Sequence, residues 1–84
     1  MYTYHPDSWS QQARKMADDE VWCINNGWQT IEGATRFFST SYRHPLIRGR
    51  AAKRFGRLLR AGKVHEHLDE YRKHFSLEGN DEDA

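Results

Sequence analysis

The segment from Pro45 to Gly62 constrains the fold more than any other part of the chain, because its side chains sort into two faces. At about 100° per residue, the apolar side chains span about 140° and the cationic side chains span an opposing arc of about 120°. The apolar arc contains Ile47, Ala51, Ala52, Phe55, Leu58 and Leu59, and the basic face contains Arg50, Lys53, Arg54, Arg57 and Arg60. The pattern predicts an amphipathic helix over residues 46–62, with Pro45 in its first turn and Gly62 at its end.

Two more helices are predicted before this segment. Ser8 and Gln11 fit a capping box, which predicts a helix from Ser8 that stops at Asn25-Asn26-Gly27. Thr30 can cap the next helix, which His44-Pro45 ends because a residue before proline avoids the α region. Its expected buried stripe is Ile31, Ala34, Thr35, Phe38 and Tyr42.

A last helix is expected from Lys63 to Phe75, with Val64, Leu68, Tyr71 and Phe75 buried. The predicted fold class is therefore mostly α, a compact bundle of about four helices. We expect a single domain over residues 1–76 with an extended N-terminal arm at 1–7. Residues 77–84 are expected to form an acidic disordered tail.

Residues 21–31 also admit a different structure. The β-branched and aromatic runs 21–24 and 28–31 flank Asn26-Gly27, which is a strong signal for a short β-hairpin. The helical interpretation and this hairpin are alternatives for the same residues.

The length of 84 residues argues against an enzyme. A chain of this size buries only about 60–65% of its unfolded surface, so a deep substrate pocket would use much of the core. The sequence contains no nucleophile elbow, phosphate loop or other catalytic motif, and we expect no cofactor and no small-molecule substrate. The five His and single Cys lack the close spacing of a structural zinc site, so no metal is predicted.

Cys23 stands alone, which is typical of a reducing compartment. The first residues lack the charge and apolar pattern of a signal peptide, and no apolar run approaches the ~20 residues of a membrane span. We expect a cytoplasmic protein that does not use its apolar arc on a membrane, because its small core needs that arc.

The net charge of +1 conceals an uneven distribution of charge. Nine Lys and Arg lie between Gly33 and His65, where there is no Asp or Glu, whereas the rest of the chain holds four basic residues and all twelve acids. Solvated helix faces usually alternate in sign, and like charges four residues apart repel. The clustering therefore predicts that the basic face binds a polyanion.

The first functional hypothesis is a non-enzymatic small binding protein whose basic helix docks on a polyanion, most simply DNA or RNA. The residues of the basic face would contact phosphates, and Arg36, Arg43 and Lys63 would extend the footprint. The preceding helix, the turn at His44-Pro45 and the basic helix also loosely fit a helix-turn-helix outline.

The alternative hypothesis is a small inhibitor or adaptor, such as a phage- or plasmid-type accessory protein. It would bind a host protein or a nucleic-acid-handling complex through the same Arg-rich face. Trp22, which lies opposite the buried stripe of its helix, would serve as an anchor unless it packs under the arm or another helix. The chain could also form a homodimer, because its core is small. In a further alternative, the basic face is covered within the chain by Glu66, Asp69, Glu70 or the acidic tail.

Overall fold

A computed structural model of the protein describes residues 6–73, with side chains from Ser8 onward. The elements are α1 (Pro6–Asn25), α2 (Ile31–Thr40), α3 (Pro45–Arg60) and a helical segment at residues 68–73. The chain is a mostly α-helical bundle, as predicted. Residues 21–25 complete α1 and no strand occurs among residues 6–73, so the hairpin alternative is wrong.

Helix α1 begins at Pro6, two residues before the predicted cap. Proline suits a first helical turn because its missing N–H would have no partner there. The Ser8 hydroxyl lies inside the helix and accepts a hydrogen bond from Gln12 Nε2 (3.3 Å), so the predicted capping box is wrong. Pro6 and Asp7 are helical and do not belong to an extended arm, whereas residues 1–5 and the predicted tail at 77–84 lie outside the described residues.

The end of α1 follows the prediction. Gly27 has a φ of 81°, the left-handed conformation that favours glycine. Its N–H donates to the Ile24 carbonyl (3.1 Å), and the Trp28 N–H donates to the Cys23 carbonyl (2.8 Å), which is the Schellman pairing. A Cβ at this position would lie 2.6 Å from Glu70 Cβ, so space and backbone conformation both require glycine.

Helix α2 begins as predicted, because the Thr30 hydroxyl accepts a hydrogen bond from the Gly33 N–H (2.9 Å). Ala34 and Phe38 are buried. The helix ends at Thr40, earlier than predicted, and the Tyr42 side chain in the following turn is 95% exposed. The predicted burial of Tyr42 and of Thr35, which is also exposed, is wrong.

Helix α3 confirms the clearest prediction from the sequence. The imidazole Nδ1 of His44 caps it by accepting from the Leu46 N–H (3.1 Å), and Pro45 occupies the first turn. Gly62, with a φ of 73°, follows its end. Ile47, Ala51 and Phe55 are buried and Leu58 and Leu59 partly so. Ala52 is exposed, contrary to expectation, because it lies at the edge of the apolar arc.

The predicted last helix is wrong in its first half, because residues 63–67 are not helical. The side chain of Asn25 holds this segment: its Nδ2 donates to the Lys63 carbonyl (3.1 Å) and its Oδ1 accepts from the His65 N–H (2.6 Å). These two bonds give the Lys63 carbonyl and the His65 N–H hydrogen-bond partners in a segment that is not helical. Within the predicted stripe, Val64 is partly buried and Leu68 is 50% exposed.

Helices α1 and α3 run parallel. Ser10 near the start of α1 contacts Arg50 near the start of α3, and Asn25 at the end of α1 contacts Lys63 just beyond α3. Helix α2 packs against α3, and the core is formed by Ala13, Met16, Ala17, Ile24, Ala34, Phe38, Ile47, Ala51 and Phe55. The cationic arc of α3 is thereby placed beside α1 at the protein surface.

Candidate polyanion-binding surface

A groove of about 270 Å³ runs between α1 and α3. Four side chains of the predicted basic face line it together with three residues of α1. We call it the basic groove; its lining is Ser10, Ala13, Arg14, Arg50, Lys53, Arg54 and Arg57. The parallel packing of α1 and α3 therefore turns a convex helical face into a concave cationic surface.

Arg14 was not among the predicted site residues. It lies outside the acid-free stretch from Gly33 to His65, and only the packing of α1 on α3 brings it to the groove. The signal that identifies it is its row on α1: Ser10, Arg14 and Asp18 are four residues apart and flank the buried Ala13 and Ala17.

Two of the arginines are fixed to α1. The Arg54 guanidinium meets the Asp18 carboxylate through two bonds, Nε to Oδ1 (2.8 Å) and a terminal nitrogen to Oδ2 (3.3 Å). This forked pair is partly buried. Arg50 Nη1 donates to the Ser10 hydroxyl (3.0 Å). Because these contacts hold Arg50 and Arg54 in place, less side-chain entropy is lost when they bind an anion.

Lys53 and Arg57 are exposed side chains of the groove and lie four residues apart on α3. Arg60 continues the same arc one turn later and is exposed as well. Like charges at this spacing destabilise a helix by a few tenths of a kcal/mol per pair. An external anion would remove this repulsion.

The remaining predicted site residues lie apart from the groove. Arg36 is on the side of α2 opposite its buried residues and pairs with Glu32 (3.2 Å). Arg43 precedes α3 and Lys63 follows it, so these two stand at opposite ends of the basic face. Trp22 is 61% exposed on α1, one helical turn beyond Asp18.

Two acids after α3 point elsewhere. Glu66 Oε1 accepts a hydrogen bond from the Ile31 N–H (2.6 Å) at the start of α2, and Glu70 packs against Gly27. Both therefore lie at the end of the bundle where α1 stops. Asp18 is an acid that does contact the basic face, through its pair with Arg54.

Two described side chains have a raised pKa, and both belong to α1. Burial raises the pKa of the Cys23 thiol, which disfavours the reactive thiolate. Burial also raises the pKa of Glu20, partly offset by the hydrogen bond that Gln29 Nε2 donates to it (3.1 Å). Across residues 8–73 there is no group of three or more His, Cys, Asp or Glu placed to hold a metal ion.

In the described part of the chain, none of the helices has the length and apolar character needed to cross a membrane. No protein-family model, curated protein or solved structure matches the chain.

Proposed function

We propose that the protein is a non-enzymatic binding module whose basic groove docks on the phosphate backbone of DNA or RNA. The observation that supports this is the meeting of cations from two helices, Arg14 from α1 with Lys53 and Arg57 from α3, along one groove. A curved cationic surface of this kind can follow a polyanionic backbone more closely than a single convex helix can.

The chemistry of the side chains suits phosphate. Arginine offers paired donors that match phosphate oxygens, and Lys53 adds a compact charge. Most of the favourable free energy would come from release of counterions by the nucleic acid, and phosphate contacts carry little sequence information. The expected behaviour is low sequence preference with steep salt dependence.

The test measures binding of random-sequence duplex DNA, single-stranded DNA and RNA by fluorescence anisotropy at several salt concentrations. The double variant Lys53→Gln/Arg57→Gln should bind more weakly and flatten the slope of log K against log salt on duplex DNA by about 1.8, since each phosphate contact contributes about 0.9.

The matched control is Lys15→Gln/Arg36→Gln, which removes two positive charges from exposed ion pairs outside the groove. It should change the slope by far less. Equal slopes for the two double variants, or no binding by the wild type at low salt, would contradict the proposal.

A second candidate function is binding to an acidic surface of a host protein or of a nucleic-acid-handling complex, as a phage- or plasmid-type inhibitor would bind. The observation that favours it is apolar exposure close to the cations: Leu46 is 50% exposed and lines a cleft with Arg50 and Lys53. Exposed Trp22 adds an aromatic anchor, and aromatic residues and arginine dominate protein interfaces.

Nucleic-acid binding at low salt, together with a pull-down from the native host, distinguishes the two candidates. Under the second, the wild type gives no shift with nucleic acid at low salt, and a pull-down from the native host retains a protein that Lys53→Gln/Arg57→Gln fails to retain. Either function would operate in the cytoplasm, where the lone Cys23 stays reduced.

A further inference from the structure

A second groove, of about 500 Å³, lies between α2 and α3 on the other side of α3 from α1. Gly49, Ala52 and Gly56 form its floor along α3, Pro45 lines one end, and the almost fully buried Phe38 and Phe55 line it from the core. We call it the apolar groove. Its volume is within the range of sites that accept ligands, and its lining along α3 extends from Pro45 to Leu59, about four helical turns.

The two glycines of the floor are not required by the fold. Neither has a positive φ, in contrast to Gly27 and Gly62. A Cβ at position 49 would meet nothing within 4 Å, and at position 56 it would meet only the mobile end of Arg60, at 3.4 Å. Glycine inside a helix is destabilising relative to alanine. The floor is therefore open to a backbone that approaches from outside this chain.

Positive charge borders the floor. Arg48 lies in the wall and donates to the carbonyls of Ser39 (2.6 Å) and Arg43 (3.1 Å). Lys53 lines the cleft that continues past Gly49, and Arg60 lies beside Gly56. No carboxylate is among the residues that line the apolar groove. An occupant would therefore be favoured by negative charge along its edges.

We propose that the apolar groove binds an acidic amphipathic helix of a partner protein. Small and apolar residues at i, i+3 or i+4, and i+7 of that helix lie on Gly49, Ala52 and Gly56, which is the helix-in-groove mode of recognition. Carboxylates beside that stripe pair with Lys53 and Arg60. Because Gly49 and Gly56 have no side chain, the axes of the partner helix and α3 can approach each other closely.

Charge separates this partner from two others. A second copy of the chain docked by the same face would place Lys53 and Arg60 against cations, and like charges across an interface disfavour association. A nucleic-acid backbone would face the uncharged floor formed by Gly49, Ala52 and Gly56. The proposed contacts share Lys53 with the basic groove, but the apolar groove otherwise has a different lining, and its occupant does not depend on the proposed function.

The test selects helical peptides from a display library against the wild type. The library is counter-selected on Ala52→Leu, which fills the groove from an exposed position with a good helix former. Enriched peptides should carry an apolar stripe with acidic flanks, and a synthetic copy should bind the wild type at least tenfold more tightly than Ala52→Leu in fluorescence anisotropy.

The control is Gln11→Leu, which adds the same apolar side chain to the exposed face of α1 and should leave peptide binding unchanged. Ala52→Leu should also keep the wild-type unfolding temperature and polyanion affinity, so that loss of peptide binding is not loss of fold. Enrichment of basic peptides, equal binding by Ala52→Leu, or a wild-type dimer that Ala52→Leu dissociates would overturn the inference.

Discussion

Asp18 decides how much of the basic face is available to a ligand. Its carboxylate holds the Arg54 guanidinium by two bonds, so one cation of the groove is already compensated inside the protein. The pair fixes the position of Arg54 but reduces the positive potential next to it. The fixed position of Arg54 favours binding of an anion, whereas the reduced positive potential disfavours it.

We predict that Asp18→Asn binds duplex DNA more tightly than the wild type and steepens the salt slope by about 0.9, because the groove gains one uncompensated positive charge that can neutralise a further phosphate. Loss of this partly buried pair should cost at most about 1 kcal/mol of unfolding free energy. Anisotropy titrations at several salt concentrations measure the slope. Weaker binding by Asp18→Asn would show that positioning of Arg54 outweighs the gain in charge.

Glu20 gives the fold a pH dependence of its own. Burial raises its folded-state pKa, so the native state binds more protons than the unfolded state between the two pKa values. Its contribution to stability is full below the unfolded pKa and is lost as the pH rises through the folded pKa. Glu20→Gln should therefore be more stable than the wild type at neutral pH, with the difference vanishing in acid.

Urea denaturation of Glu20→Gln and the wild type across this pH range measures the difference directly. The amide can still accept the hydrogen bond from Gln29 Nε2, so the comparison isolates the charge. A difference in unfolding free energy that stays constant with pH would refute the role assigned to burial.

At the scale of the elements, glycines in the same chain have opposite effects on stability. Gly27→Ala should lower the unfolding free energy by at least about 1–2 kcal/mol, because its φ of 81° disfavours a Cβ and Glu70 occupies the space. Gly49→Ala should raise it by up to about 1 kcal/mol, since the new Cβ meets nothing. Chemical denaturation of both variants checks the signs, and the same sign for both would contradict this account.

The sequence predicts a helix boundary well where a single capping, proline or glycine residue determines it. Thr30, Pro45 and Gly62 set their boundaries through caps and backbone conformation, and each boundary was predicted correctly. The start of α1 was missed because Ser8 resembles a cap, although Pro6 can occupy the first turn. Local pattern cannot decide between two adequate starts of a helix.

The path after α3 could not be predicted from local sequence, because Asn25 holds it from a distance of 38 residues along the chain. The periodicity of Val64, Leu68 and Tyr71 suits a helix, but two bonds from one side chain stabilise an extended segment instead. The same limit applies to Ala52, whose exposure depends on which neighbours cover α3.

At the scale of the whole molecule, the candidate site results from packing. The sequence identifies the basic face of α3, because clustered charge and helical period are both visible there. It does not identify Arg14, which joins that face only because α1 and α3 run parallel. It also gives no indication that Arg36 lies on another side, since proximity along the chain suggests the opposite.

The central claim is that residues of α1 and α3 form one anion-binding surface. The most direct measurement is an NMR titration of isotope-labelled protein with a short DNA duplex at low salt. The amide signals of residues 10–14 and 50–57 should shift together and saturate with one affinity, while those of α2 should change little. Shifts confined to α2 or to residues 68–73, or shifts in α3 without α1, would contradict it.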